Sequence, residues 1–130
     1  EFLVYQRQIQ KNARALADAL QRRGLPIISG GTDNHMMLVD LTPLRIPGKE
    51  AQELLERGYI VTNRNTIPYD TRSPFNPSGL RLGTPSATTR GMKEKEMRLI
   101  ADYITDVLVK KDIPRIKKLV IGLCKKFPIY

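Results

Sequence analysis

The sequence predicts an α+β domain, with a small and mainly antiparallel sheet and helices packed on one side of it. Three observations carry this. Four segments repeat apolar residues three or four apart, the period of an amphipathic helix. Four short apolar or β-branched segments lie among them, each too short for a helix. The 130 residues, with 41% hydrophobic content, suit one globular domain with a real core.

The first helix runs from Glu1 to Arg23, where Tyr5, Ile9, Ala13, Leu16 and Leu20 make one apolar stripe. Gly24 is its stop and Pro26 follows. Ile27-Ile28-Ser29 reads as a short strand, and Gly30-Gly31 as a turn. Asn34 to Leu41 reads as a second strand, and its apolar run Met36-Met37-Leu38-Val39 predicts burial on both faces. Pro43 and Pro47 carry a loop into a helix from Lys49 to Arg57, with Ala51, Leu54 and Leu55 inward and Gly58 at its end. Tyr59-Ile60-Val61-Thr62 is the third strand by propensity. A helix from Lys93 to Val109 follows later, with Met97, Ile100, Ile104 and Val107 or Leu108 inward. Asp112 is placed to cap the last helix, with Pro114 in its first turn and Ile116, Val120, Leu123 and Phe127 inward. Cys124 shares that inward face as packing.

The fourth strand is the most informative stretch. In Ser78-Gly79-Leu80-Arg81-Leu82-Gly83, Leu80 and Leu82 point to one face and Arg81 to the other. A guanidinium on a central strand offers a two-point grip on a carboxylate or phosphate. Gly79 and Gly83 let a ligand or a neighbouring backbone come close. The alternative is an ion pair with one of the chain's own carboxylates. Residues 63–79 form a long connection rich in Asn, Pro, Ser and Asp, and its three prolines stiffen it. Asn65 carries the donor and acceptor needed to read a heterocycle edge, and an Asx-turn is the competing local reading. His35, beside Asp33 and Asn34, is a proton carrier or a residue that orders a turn; no second catalytic partner lies near it in sequence, which favours the turn.

Lys+Arg 22 against Asp+Glu 13 gives a net charge of +9, which favours acidic partners. Lys110, Lys111, Arg115, Lys117, Lys118, Lys125 and Lys126 concentrate that charge late in the chain. No aromatic platform is interleaved with them, so a solvated helix face is the expected reading and nucleic acid is not the expected partner. A basic nucleic-acid-binding module, or a purely structural or interaction domain, remains the alternative. No apolar run approaches the roughly 20 residues of a membrane helix. One cysteine and one histidine cannot build the usual Cys/His zinc site, so no metal is expected. The single cysteine also fits a reducing compartment, and the cytoplasm is the expected location.

Several stretches together resemble the C-terminal (small) domain of serine hydroxymethyltransferase. They are Ser29-Gly30-Gly31-Thr32-Asp33-Asn34-His35, Asn63-Arg64-Asn65-Thr66-Ile67-Pro68, Arg72-Ser73-Pro74-Phe75 and the run Ser78-Gly79-Leu80-Arg81-Leu82-Gly83-Thr84-Pro85-Ser86-Ala87-Thr88-Thr89-Arg90-Gly91. The opening helix and the closing Leu123-Cys124-Lys125-Lys126-Phe127-Pro128-Ile129-Tyr130 are similar as well, so the resemblance covers nearly the whole chain.

That resemblance implies the C-terminal domain of an aminotransferase-like (fold type I) pyridoxal-phosphate enzyme. Such an enzyme moves the one-carbon unit of serine to tetrahydrofolate, leaving glycine and methylenetetrahydrofolate. It implies that Arg81 holds the amino-acid carboxylate, that Asn65 contacts the pterin of the folate, and that the Ser73-Pro74-Phe75 loop sits near the folate site. For His35 it implies no role. The Schiff-base lysine, the aspartate on the pyridine nitrogen and the phosphate cup belong to a larger domain expected before Glu1. No lysine here stands in the Thr-rich context that the family's Schiff-base lysine has. Residues 1–130 are therefore expected to form one C-terminal domain, inactive alone, of a homodimeric parent that binds serine, glycine and folate.

Overall fold

The computed structural model describes residues 2–28, 36–83 and 90–127. Among them lie four α-helices and one three-stranded antiparallel sheet. In chain order these are α1 (Phe2–Arg22), β1 (Met36–Asp40), α2 (Gly48–Arg57), β2 (Asn63–Asn65), β3 (Gly79–Gly83), α3 (Glu94–Thr105) and α4 (Ile113–Lys126). A 3₁₀ turn at Thr42–Leu44 precedes α2, and a π-helical segment, Asp106–Lys110, joins α3 to α4.

β3 is the middle strand, between β1 and β2. Its pairing with β1 runs Met36↔Gly83, Leu38↔Arg81 and Asp40↔Gly79; its pairing with β2 runs Asn63↔Arg81 and Asn65↔Gly79. Met37, Val39, Leu80 and Leu82 are buried, so they form the face turned to the helices. Arg81 is exposed and Leu38 only half-buried, which identifies the other face as outward. The predicted two-faced burial of β1 is thus corrected: one face is in the core and the other is largely open, as antiparallel sheets allow.

Helix α1 packs chiefly on α3. Ala13, Ala17 and Ala101 are fully buried or nearly so, and such small side chains let helix backbones approach closely. Polar contacts tie the pair along its length. Gln8 donates to Glu94 at 2.6 Å, Asn12 donates to the Met92 carbonyl at 2.9 Å, and Arg23 donates to Asp102 at 2.7 Å. The amide of Gln8 holds the Glu94 carboxyl below its ordinary value. Leu25 N–H returns to the Leu20 carbonyl at 2.9 Å, closing α1 around Gly24 at φ +91°.

Several expected elements differ. Ile27 makes only an isolated bridge to Val39, and Ser29 lies outside the described residues. The predicted strand Tyr59–Thr62 is absent. Helix α2 closes with Ile60 N–H on the Leu55 carbonyl at 2.8 Å and Tyr59 N–H on the Glu56 carbonyl at 2.9 Å. That closure places Tyr59 at φ +65°, outside strand geometry, so pairing begins only at Asn63. Asp112 occupies the N-cap position of α4 as expected but makes no side-chain cap bond; its carboxylate accepts from Arg115 Nε at 2.5 Å. The predicted Lys93–Val109 helix is α-helical to Thr105 and π-helical beyond. There Asp106, nearly buried, accepts from Arg23 at 3.0 Å and Arg115 at 2.7 Å, joining the end of α1 to the start of α4.

Candidate functional site

Arg81 sits at the centre of the outward sheet face. Directly paired residues share a face, so Leu38 and Asn63 flank it across the two ladders. Its own strand places Gly79 and Gly83 two residues away on that face. The guanidinium therefore has no other large side chain beside it on its strand's outward face, since Leu80 and Leu82 point to the core. Among the described residues no carboxylate pairs with it; the ion pairs found there join Arg23, Lys110 and Arg115 to Asp102, Asp106 and Asp112. The alternative of an internal ion pair is not realised among those residues.

Asn65 falls on the same outward face, diagonal to Arg81, because it pairs with Gly79. It is half-buried, and its Nδ2 donates to the Thr66 carbonyl at 2.9 Å. Part of its hydrogen-bonding capacity is thus spent locally, and among the described residues its side-chain oxygen makes no such turn bond. Gly79 is required at its place. A Cβ there would lie 2.5 Å from the Asn65 carbonyl oxygen and 2.7 Å from Ile67 Cγ2. The glycine therefore admits a neighbouring backbone, one of the two reasons its sequence position suggested.

The connection from β2 to β3 is shorter than its predicted 63–79, because Asn63–Asn65 is paired. Its fold is held by polar groups. Asp70 Oδ2 accepts from Ile67 N at 3.3 Å and Ser78 N at 2.9 Å; Oδ1 accepts from Arg72 N at 2.9 Å and Ser78 Oγ at 2.7 Å. Burial by itself would raise this carboxyl, but the donors from Ser78, Arg72 and Ile67 outweigh it and hold it at about 2. Arg64 Nε donates to the Phe75 carbonyl at 3.1 Å and its Nη1 to Gln52 Oε1 at 3.2 Å, fastening the loop to α2. Ser73 Oγ accepts from Phe75 N at 3.1 Å, a local turn that presents the Phe75 ring 86% exposed. His35 lies outside the described residues.

Sheet and loop thus bring Arg81, Asn65, Ser73 and Phe75 to neighbouring elements around β3. Sequence reasoning missed Asn63, Arg64 and Asp70. Asn63 and Arg64 carry no apolar alternation to mark a strand, and Asp70 resembles any loop aspartate until its donors converge. A groove of about 330 Å³ lies elsewhere, between Tyr59, Arg90, Tyr103 and Cys124, and includes neither Arg81 nor Asn65. Of the late cationic cluster, Lys110 and Arg115 reach Asp106, and Lys117 stands 4.8 Å over the Tyr59 ring. Lys111, Lys118, Lys125 and Lys126 are exposed, as a solvated face requires. Among the described residues no group of metal ligands is assembled, and no helix is long and apolar enough to cross a membrane.

Comparison with known proteins points one way. The family model described as serine hydroxymethyltransferase matches residues 1–104. The serine hydroxymethyltransferases of Legionella pneumophila strains Corby and Lens are each 52% identical over 134 residues, covering 100% of this chain and 32% of the relative. The enzyme of strain Paris is 51% identical over the same span. The chain therefore spans about a third of the length of the curated relatives it matches.

Proposed function

The chain belongs to the serine hydroxymethyltransferase family, and from that premise we propose that it is the C-terminal domain of an enzyme interconverting serine plus tetrahydrofolate with glycine plus 5,10-methylenetetrahydrofolate. In this reading Arg81 grips the amino-acid carboxylate through two parallel hydrogen bonds. Asn65 meets the edge of the pterin, and the loop carrying Ser73 and Phe75 borders the folate. The observation that carries the reading is the shared outward face: an exposed arginine on the middle strand, glycines two residues to either side, and Asn65 on the diagonal.

The physical role of Arg81 is positional. A fixed carboxylate fixes the α-carbon attached to it, and with it the bond that must align for cleavage. On an open sheet face water would screen that grip. The rest of the parent is proposed to cover the face, and a dry site strengthens charge pairing. Pyridoxal phosphate would supply an electron sink for the α-carbon. Arg81 suits the substrate's carboxylate, and no lysine stands beside it on β1, β2 or β3 to take the Schiff-base role. The cofactor is accordingly assigned to the remainder of a cytoplasmic, homodimeric parent, and the isolated chain is expected to be inactive.

Full-length enzyme should convert serine to glycine in a tetrahydrofolate-dependent manner, while residues 1–130 alone should not. Turnover by the isolated chain, or none by the full-length enzyme supplied with pyridoxal phosphate, would contradict the assignment.

A further inference from the structure

We infer that Asp70 is a positioning residue for the folate side of the site: its carboxylate fastens loop 67–78 to the start of β3 and so sets where Asn65 and Phe75 stand. The inference deepens the proposed function and rests on its folate reading. Within loop 67–78 only Pro77 and Ser78, at its far end, are buried, so apolar packing does not fix residues 67–76. A polar lock must do so instead. Both Asp70 oxygens are used, and they gather donors from before, after and the far end of the loop. The same lock shapes the turn at its near end. Asp70 N–H returns to the Ile67 carbonyl at 3.1 Å, Pro68 occupies the second turn position, and Tyr69 is driven to φ +59°. That third position ordinarily favours glycine or asparagine. The Asn65 carbonyl and the Ile67 side chain both close on Gly79, where an added Cβ would lie 2.5 Å from one and 2.7 Å from the other. Release of Ile67 would therefore reach Asn65 directly.

Arg81 is held differently. β3 pairs with β1 along its whole length, from Gly79 to Gly83, without help from Asp70. Loss of the Asp70 carboxylate should thus separate the two halves of the site. In the full-length enzyme Asp70→Ala is expected to raise KM for tetrahydrofolate about ten-fold or more, with KM for serine within about two-fold of wild type. Ser78→Ala, which removes one donor, should raise the same constant by less. Amide hydrogen exchange at Ile67 and Ser78 should quicken in Asp70→Ala while exchange in the β1–β3 ladder is unchanged. If Asp70→Ala fails to fold, Ser78→Ala carries the same comparison. Faster exchange with an unchanged tetrahydrofolate KM would reduce Asp70 to a structural residue and overturn the inference. Wild-type enzyme whose serine turnover ignores tetrahydrofolate would instead defeat the folate reading, whatever the exchange data show.

Discussion

Asn63 stands directly opposite Arg81 across the β2–β3 ladder, on the sheet face turned away from the helices. Leu38 occupies the other side, so Asn63 is the polar cross-strand neighbour of the guanidinium. Directly paired Cβ atoms lie about 4.5–5.5 Å apart, within reach of an arginine fork. Asn63→Asp would introduce a carboxylate of nearly the same shape to compete for that fork. In the full-length enzyme it should weaken glycine and serine binding about ten-fold or more, and Asn63→Ala should weaken it less. Equal affinities for Asn63→Asp and wild type in a glycine titration would contradict the placement.

Gly79→Ala should fail for a packing reason. The new Cβ would sit 2.5 Å from the Asn65 carbonyl oxygen and 2.7 Å from Ile67 Cγ2, and the carbonyl cannot swing aside without breaking the β2–β3 pairing. The expected loss is about 1–3 kcal/mol of stability, read as a lowered thermal midpoint. Gly122→Ala is the matched control. It lies within α4, where a Cβ would meet nothing within 4 Å among the described residues, and it should be neutral or stabilising by up to about 1 kcal/mol.

Acid should loosen the loop that Asp70 holds. Asp70 has its carboxyl at about 2 in the fold against 3.8 ordinarily, so the folded state favours its ionised form. Its contribution is fully present above the unfolded value and is lost as pH falls through the folded one, between about pH 4 and pH 2. Over that window wild type should lose more stability than Asp70→Asn, measured as thermal midpoint against pH. Parallel curves for the two proteins would refute a favoured ionised Asp70.

Much of the fold could be read in advance where one physical signal dominated. The stripes of α1, α2, α3 and α4 mark buried faces, and Leu80-Arg81-Leu82 alternates as a half-buried strand must. Arg81 and Asn65 were identifiable as candidates by chemistry and by resemblance. Tyr59–Thr62 misled because β-propensity yields to helix closure, and Tyr59 takes the left-handed position usually given to glycine. Asn63–Asn65 has no apolar pattern; it becomes a strand only because β3 offers an edge. Asp112 looked like a cap, yet the guanidinium of Arg115 competes successfully for its carboxylate. Asp70 could not be recognised locally, since its donors come from Ile67, Arg72 and Ser78 and converge only after the loop folds.

The central claim is that Arg81 grips the substrate's carboxylate. Its most direct test is the dissociation constant of glycine for full-length wild type, Arg81→Lys and Arg81→Ala, measured side by side. Loss of a two-point, charge-assisted contact should weaken binding by about 100-fold or more in Arg81→Ala. Arg81→Lys should recover little, because an ammonium cannot reproduce the planar fork. Near-normal glycine affinity in Arg81→Ala would contradict the account.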